Sequence, residues 1–285
     1  MKTVLVTGAN GQLAKCISAI SQKHHNLQFI FANSLELNIT KLDELTSFFK
    51  SNSIDWCINC AAYTAVDKAE TEIENAKNVN ITGAQLLAEV CENSAVSLIH
   101  ISTDFVFDGT HNKAYNEDDK TNPLGVYGTT KRNGELAVIK ANPRHFIIRT
   151  SWLYSEFGNN FMKTMIRLSQ DRNELHIVSD QIGTPTYAKD LAQAIIEIVN
   201  QDNKAYGIYH YSNEGVASWY DFAQAIFDIN GNDIKTFPIH TESYPTPAKR
   251  PTFSVLDKIK IKNTFSISIP HWRDSLKIAI ENLKS

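Results

Sequence analysis

A tyrosine and a lysine four residues apart are the side chains of this sequence best suited to chemistry. Tyr127 and Lys131 occur in the run Tyr-Gly-Thr-Thr-Lys. At this spacing on a helix, the phenol and the ammonium share one face, so the cation can stabilise a phenolate and ease proton transfer. Lowering a phenol pKa by about three units takes roughly 4 kcal/mol, and a nearby ammonium supplies about one to three units. The pair therefore indicates proton-donor chemistry, although chance alone also produces this spacing.

A threonine at the end of a predicted strand is expected to join this pair. Residues 97–102 form an apolar run that ends next to Thr103 and Asp104. In a sheet built from parallel strands with helical crossovers, that strand end lies beside the start of the helix that carries Tyr127. The Thr103 hydroxyl can then hydrogen-bond the substrate oxygen that the phenol protonates. We predict that Thr103, Tyr127 and Lys131 are the catalytic residues.

The elements that must position these residues alternate along the chain. Strand-like runs are predicted at 3–7, 27–32, 55–60, 97–102 and 145–150, and helical periodicity at 11–23, 41–51, 75–93 and 127–141. Such alternation is typical of an α/β fold with a doubly wound parallel sheet and helices on both faces. We predict a Rossmann domain over residues 1–150, with approximately 186–212 and 237–258. A smaller, discontinuous substrate domain is predicted over approximately 151–185, 213–236 and 259–285.

A glycine turn directly follows the first predicted strand. The run Gly-Ala-Asn-Gly-Gln-Leu-Ala at 8–14 leads from that strand into a helix, the context that a dinucleotide fingerprint requires. Gly8 allows the tight turn, and Gly11 lets the backbone approach a pyrophosphate. The residues expected to bind the cofactor are Gly8, Asn10, Gly11, Gln12, Leu13, Asn33, Ser34, Asn38, Ala61, Ala62, Tyr63, Tyr127 and Lys131.

The end of the second predicted strand bears on which dinucleotide binds. Asn33 and Ser34 stand where an NAD-preferring site usually places an acidic residue on the ribose 2′-hydroxyl. No carboxylate at these two positions repels a 2′-phosphate, and no arginine binds it. The sequence therefore favours NADPH, with NADH as the alternative.

Composition excludes several other classes of function. The chain has 285 residues, of which 42% are hydrophobic and 21% charged, with a formal net charge of −3. This charge leaves no electrostatic footprint for nucleic acid, and no apolar run approaches the length of a membrane span. We expect a cytoplasmic protein. The pair Cys57 and Cys60 falls in a predicted strand, the histidines lack metal spacing, and the acidic run 117–119 reads as a solvated loop, so no metal site is expected.

The motifs together resemble the extended short-chain dehydrogenase/reductases, and within them the dTDP-4-dehydrorhamnose reductase family. The matching stretches lie at 7–13, 59–70, 102–109, 123–131, 180–186 and 249–251. The resemblance implies NAD(P)H-dependent reduction of the 4-keto group of dTDP-4-dehydro-L-rhamnose to dTDP-L-rhamnose, a donor for cell-surface polysaccharides. It implies that Tyr127 is the acid, Lys131 its partner and ribose anchor, and Thr103 a carbonyl hydrogen-bond donor. The residues implied to contact the dTDP-sugar are Thr103, Asp104, Trp152, Asn160, Gln181, Gly183, Thr184 and Arg250.

Departures from the family pattern carry further expectations. Cys16 and Lys189 stand where some relatives hold magnesium through glutamates at a dimer interface, so a monomer is favoured over a homodimer. Phe105 is expected to lie away from the chemistry, and it replaces the glutamate that dehydratases of this fold use. Another sugar-nucleotide 4-ketoreductase or epimerase stays open, as does a non-catalytic homologue of the methionine adenosyltransferase regulatory subunit.

Overall fold

The computed structural model describes residues 1–284, which are organised around a six-stranded parallel sheet. The strands of the chain are β1 (Lys2–Thr7), β2 (Leu27–Ala32), β3 (Trp56–Asn59), β4 (Ser97–Thr103), β5 (His145–Thr150), β6 (Leu153–Tyr154), β7 (Glu174–Val178), β8 (Ile182–Gly183), β9 (Thr186–Tyr187), β10 (Gly207–His210), β11 (Ala217–Ser218) and β12 (Lys235–Ile239). The main sheet has the order β10-β5-β4-β3-β1-β2, and each neighbouring pair is parallel. Strands such as β5 are buried along their whole length, as expected of a parallel sheet covered on both faces.

Helices cover both faces of this sheet. They are α1 (Gln12–Ser21), α2 (Leu42–Ser51), α3 (Val66–Ala69), α4 (Ile73–Lys77), α5 (Ala84–Asn93), α6 (Val126–Ala141), α7 (Phe161–Asp171), α8 (Ala188–Gln201), α9 (Trp219–Asn230), α10 (Ile259–Phe265) and α11 (Trp272–Lys284). Alternate strand residues point to opposite faces, so Val4 and Val6 pack with α1 and α8 whereas Leu5 packs with α2 and α5. The predicted doubly wound α/β sheet is confirmed.

One predicted helix is interrupted. The pattern at 75–93 predicts a single helix, but the structure has α4, a π-helical turn at Asn78–Gly83, and then α5. The turn brings the buried Asn80 side chain to the backbone of Tyr63 and to the hydroxyl of Thr130. A π turn at this point therefore serves contacts that are distant in sequence, as such turns often do at functional sites.

A second core lies beyond the main sheet. Aromatic and aliphatic side chains of α7, α9 and α11 pack with Tyr154 and Tyr187 in this core. Three two-stranded sheets accompany it, β6 with β9, β7 with β12, and β8 with β11. Gln12 at the start of α1 donates a hydrogen bond to the Leu153 carbonyl at 3.1 Å, which joins this part of the chain to the carboxyl edge of the main sheet.

The contacts bear on two boundaries of the predicted domains. Ile261 and Phe265 of α10 pack into the core of the main sheet, and β12 pairs with β7 of the second unit. The two-domain division stays a prediction, and these contacts favour moving 259–265 to the first domain and 235–239 to the second. Ser285 lies outside the described residues. No helix within 1–284 is long and apolar enough to cross a membrane.

Candidate active site

Two glycines allow α6 to pack closely against neighbouring segments. A Cβ on Gly128 would lie 2.3 Å from the Phe105 carbonyl oxygen, and one on Gly134 would lie 2.1 Å from that of Asn80. Glycine inside a helix costs about 1 kcal/mol relative to alanine, so a pair of them in one helix is a signal of close packing. Neither was predicted from the sequence. Gly128 brings the helix that carries Tyr127 against the turn after β4, and Gly134 brings it against the π turn.

Lys131 lies buried on the inner face of α6. Its Nζ donates a hydrogen bond to the Ile101 carbonyl of β4 at 2.7 Å. Burial lowers the pKa of Lys131 to about 8, and the negative charge of Glu135 one turn further on acts in the opposite direction. The ammonium therefore remains mostly protonated at neutral pH and lies beside the strand end.

Tyr127 lies half-buried at the start of the same helix. Loss of solvation raises the pKa of Tyr127 to about 12, although a hydrogen bond with Thr103 lowers it in part. The sequence predicts a lowered pKa, and the structure gives the opposite direction, because loss of solvation dominates while the Lys131 ammonium is bound to the Ile101 carbonyl. The expectation for Phe105 is also wrong, because its ring packs edge-on against Tyr127, with centroids 5.6 Å apart. The structure thus holds Tyr127 as a protonated phenol.

Thr103, the last residue of β4, and Asp104, which follows it, lie beside this phenol. The Thr103 hydroxyl donates to Asp104 Oδ1 at 3.0 Å and accepts a hydrogen bond from the Phe105 amide. Asp104 is only 1% exposed, and its Oδ2 has no hydrogen-bond partner among the described residues. Burial raises the pKa of Asp104 to about 6. The structure brings Thr103, Asp104 and Tyr127 together and places Lys131 one helical turn beyond Tyr127, on the Ile101 carbonyl; their catalytic roles stay predictions.

A buried ion pair between Glu135 and Arg149 joins α6 to the main sheet. Glu135 accepts hydrogen bonds from Ser102 at 2.6 Å and from two nitrogens of Arg149, both at 2.8 Å. Arg149 also contacts His210 Nε2 at 3.3 Å. The pair links α6 to β4, β5 and β10. Because removing one partner would leave a buried charge alone, the pair constrains how α6 sits on the sheet.

The glycine turn after β1 fits a dinucleotide. Gly8 has φ of +67°, and a Cβ there would lie 2.7 Å from the Ala61 amide nitrogen, so the turn packs directly against the end of β3. Gly11 is the N-cap of α1 and offers no side-chain acceptor to the amides of the first turn. Those amides are suited to an anionic pyrophosphate. Asn10 is exposed at the turn, and Leu13 is buried beneath it.

A carboxylate lies at the end of β2, where none was predicted. Glu36 Oε2 accepts a hydrogen bond from the Asn33 amide at 2.9 Å. This bond places the negative charge of Glu36 at the end of β2. The Asn33 side chain caps the following turn, Ser34 is exposed, and the Asn38 side chain accepts hydrogen bonds from Thr40. The sequence did not indicate Glu36, because Glu36 does not directly follow the strand. The turn that begins at Asn33 brings its carboxylate back to the strand end.

The end of β3 supplies a third wall on the same edge. Asn59 Oδ1 accepts a hydrogen bond from the Ala61 amide at 3.1 Å, and Ala62 continues the loop half-buried. The Tyr63 amide donates to Asn80 Oδ1 at 2.9 Å. Since Asn80 also bonds Thr130 of α6, this wall is tied to the helix that carries Tyr127 and Lys131.

A pair of stacked indoles lines the opposite, predicted substrate side. Trp152 has φ of +47°, uncommon for a bulky residue, and stacks on Trp219 with centroids 3.5 Å apart and planes 6° apart. A Cβ on Gly183 would lie 2.7 Å from the Trp152 ring, so only glycine leaves room for it. Gln181 accepts a hydrogen bond from Trp219 Nε1 at 3.2 Å. Trp219 was not predicted, because it lies outside the recognised motifs.

Of the other predicted substrate contacts, Asn160 lies near the glycine turn and Thr184 is fully buried. Asn160 caps α7, and its amide nitrogen lies 3.4 Å from Gln12 Oε1 at the glycine turn. Thr184 is 0% exposed and donates to the Gly215 carbonyl, so it has no exposed atom for a ligand. No group of three His, Cys, Asp or Glu side chains in the described part of the chain is arranged to hold a metal.

Arg250 is engaged by a carboxylate. Its Nη1 and Nη2 donate to the two Asp67 oxygens at 3.1 and 2.8 Å, and this bond lowers the pKa of Asp67. Arg250 Nε makes no hydrogen bond within residues 1–284, which leaves one edge of the guanidinium for an anion. Lys249, its neighbour, is exposed.

Comparisons with known proteins agree with this geometry. A family model described as RmlD substrate binding domain matches residues 1–285. A dTDP-4-dehydrorhamnose reductase of Aggregatibacter actinomycetemcomitans is 42% identical over 97% of this chain and 98% of its own. Solved dTDP-4-dehydrorhamnose reductases from Clostridium acetobutylicum (TM-score 0.95, 40% identity) and from Bacillus anthracis in complex with NADP (TM-score 0.93, 36% identity) each match 99% of this chain and 100% of their own. The chain therefore belongs to the dTDP-4-dehydrorhamnose reductase family.

Proposed function

We propose that this protein reduces the 4-keto group of dTDP-4-dehydro-L-rhamnose to give dTDP-L-rhamnose, with NADPH or NADH as reductant. The observation that carries the proposal is the placement of a protonated Tyr127, a buried Lys131 ammonium and the Thr103 hydroxyl at one strand end. These groups lie on the edge of the sheet that also carries the glycine turn, in a chain of the reductase family.

The chemistry of the chain itself is proton donation and positioning. A bound nicotinamide supplies the hydride to the carbonyl carbon. Tyr127, with its raised pKa, keeps its proton until the carbonyl oxygen develops negative charge, and then donates it. The Thr103 hydroxyl, whose single proton goes to Asp104 Oδ1 in the structure, would turn to give that oxygen a second hydrogen bond. Lys131, held by the Ile101 carbonyl, keeps a positive charge near the tyrosinate that remains.

The cofactor would be held by residues at three strand ends. The first-turn amides of α1, beside Gly11, would take the pyrophosphate, and the loops at Asn33 and Ala61 would enclose the adenosine half. NADPH is our primary assignment, since a B. anthracis relative was solved in complex with NADP. Glu36 works against a 2′-phosphate, which supports use of NADH as well.

The nucleotide-sugar would lie between the stacked indoles and Arg250. Trp219 covers one face of Trp152, so the exposed part of the indole pair would contact a sugar ring or base, and the open Nε edge of Arg250 suits a diphosphate oxygen. Gln181 and Asn160 offer amides nearby, and Asp104 could accept a sugar hydroxyl. We propose these as substrate contacts, together with the backbone at Gly183. Thr184 is fully buried and would support this loop through its bond to the Gly215 carbonyl without touching the ligand.

We also propose a monomeric cytoplasmic enzyme without a metal. Burial raises the pKa of the Cys16 thiol to about 12, so it is a poor metal ligand at the position where some relatives place a glutamate. The free cysteines of the chain are typical of a reducing compartment. Light scattering with and without EDTA tests the oligomeric state, and a mass that halves with EDTA would contradict it.

One assay tests the activity. The protein is mixed with dTDP-4-dehydrorhamnose and NADPH or NADH, and the absorbance of the reduced nicotinamide is followed. We expect loss of reduced cofactor in proportion to product, abolished by Tyr127→Phe while cofactor binding by fluorescence is retained. If the unmodified protein binds the cofactor but does not turn over the substrate, the proposed reductase activity is wrong. A non-catalytic binding protein would then be the better hypothesis.

A further inference from the structure

A carboxylate from a distant segment caps the helix that carries Tyr127. Glu70, directly after α3, accepts a hydrogen bond at its Oε1 from the Val126 amide at 2.8 Å, across 56 residues of sequence. Val126 is the first residue of α6 and precedes Tyr127. The Glu70 side chain therefore binds the backbone immediately next to the proton donor.

The start of α6 has no acceptor of its own. Its N-cap is Gly125, which has no side chain, and its first turn contains no acidic residue. The first amides of a helix need acceptors, and a carboxylate at that end is also stabilised by the helix dipole. Glu70 supplies both the acceptor and the charge.

The sequence keeps space for this carboxylate. A Cβ on Gly125 would lie 2.7 Å from Glu70 Oε1, whereas the next atoms are 3.8 Å away. Gly125 has φ of −139° and ψ of 177°, an extended conformation open to any residue. A Cβ here would therefore meet only the Glu70 carboxylate, which would have to move away from the Val126 amide to make room for it.

We propose that Glu70 is a positioning residue, which fixes the start of α6 and so the placement of the Tyr127 phenol toward Thr103 and the substrate carbonyl. The proposal rests on the reduction proposed above. Asp67, on the same short helix, holds Arg250, so one five-residue segment supports both the acid and the proposed diphosphate contact. Glu70 touches neither substrate nor cofactor in this role.

Steady-state kinetics on a set of variants tests the proposal. We expect Glu70→Ala to lower kcat about tenfold with the KM for the nucleotide-sugar nearly unchanged, since small misplacements of a catalytic group are costly. Glu70→Gln keeps the acceptor oxygen and should recover most of the rate. Glu74→Gln is the matched control, because Glu74 is exposed and, within residues 1–284, its carboxylate pairs with Lys77 alone.

A double-mutant cycle separates positioning from general damage. Gly125→Ala should lower kcat in the native background, because its Cβ displaces the carboxylate, and have little further effect in Glu70→Ala. Additive effects of the two changes would overturn the proposal. So would a kcat for Glu70→Ala within about twofold of wild type, a difference too small for a displaced acid.

A measurement that needs no substrate keeps the two proposals distinguishable. Amide hydrogen exchange at Val126 and Tyr127 should accelerate in Glu70→Ala and not in Glu74→Gln. If the unmodified protein fails to turn over the nucleotide-sugar, the reductase proposal falls, while this exchange still decides whether Glu70 holds the helix start. Unchanged exchange would refute the role of Glu70 whatever the activity.

Discussion

Replacing Asp104 with asparagine tests whether the acidic side chain beside Thr103 carries a destabilising charge at neutral pH. Asp104 is almost completely buried, and its Oδ2 lacks a hydrogen-bond partner within the described residues. Asparagine keeps an oxygen that can accept the Thr103 hydroxyl and has nearly the same size. The substitution therefore removes the charge with little change in packing.

The magnitude follows from the raised pKa. The pKa of Asp104 is 3.8 as a reference value and about 6 in the folded chain, because burial penalises the charged form. The folded state thus binds more protons than the unfolded state between these values, and stability is lost as pH rises through about 6. A shift of this size corresponds to about 3 kcal/mol over the full range, and about 2 kcal/mol between pH 4.5 and 7.5.

Urea unfolding of the wild type and of Asp104→Asn at these two pH values measures the effect. We expect the variant to gain about 2 kcal/mol relative to the wild type on going to the higher pH. Asp118→Asn, in the exposed loop, serves as the control for loss of a carboxylate. A stability difference that stays constant with pH, or that favours the wild type at pH 7.5, would refute the assignment of a buried charge.

Three further substitutions have defined outcomes. Gly128→Ala should lower kcat about tenfold or more, because its Cβ would meet the Phe105 carbonyl at 2.3 Å; a fully active variant would contradict the close packing. Trp219→Ala should raise the KM for the nucleotide-sugar several-fold, since stacking contributes about 0.5–1.5 kcal/mol, and leave NADPH binding unchanged. Glu36→Gln should lower the KM for NADPH about threefold relative to NADH, and an unchanged ratio would show that its charge does not reach the 2′-phosphate.

The main sheet could be predicted from the sequence because its signals are local. The strands β2 and β5 have the predicted bounds, and α6 begins one residue earlier than predicted. The π turn at Asn78–Gly83 could not be predicted, because Asn80 contacts Tyr63 and Thr130, which lie in other elements. Helical periodicity continues through it and so conceals it.

In the site, too, local spacing could be predicted from the sequence and tertiary contacts could not. The spacing of Tyr127 and Lys131 places both on α6, but the raised pKa of Tyr127 reflects burial by segments that the spacing does not reveal. Arg250 is recognisable as a cation, whereas its bond to Asp67 joins residues 183 positions apart. The loop at 117–119 was expected to be solvated, yet Glu117 accepts a hydrogen bond from the His210 amide. Tertiary contacts of this kind leave no local pattern.

Strand β10 has a consequence for how the chain folds during synthesis. It pairs with β5 and contributes His210 to Arg149, yet it follows the first segments of the second core along the chain. Until residue 210 has left the ribosome, the nascent chain presents β5 as an open strand edge, a surface prone to wrong pairing. A fragment of residues 1–150 thus contains the glycine turn, Tyr127 and Lys131 but leaves β5, and Arg149 on it, as an uncovered edge of the sheet.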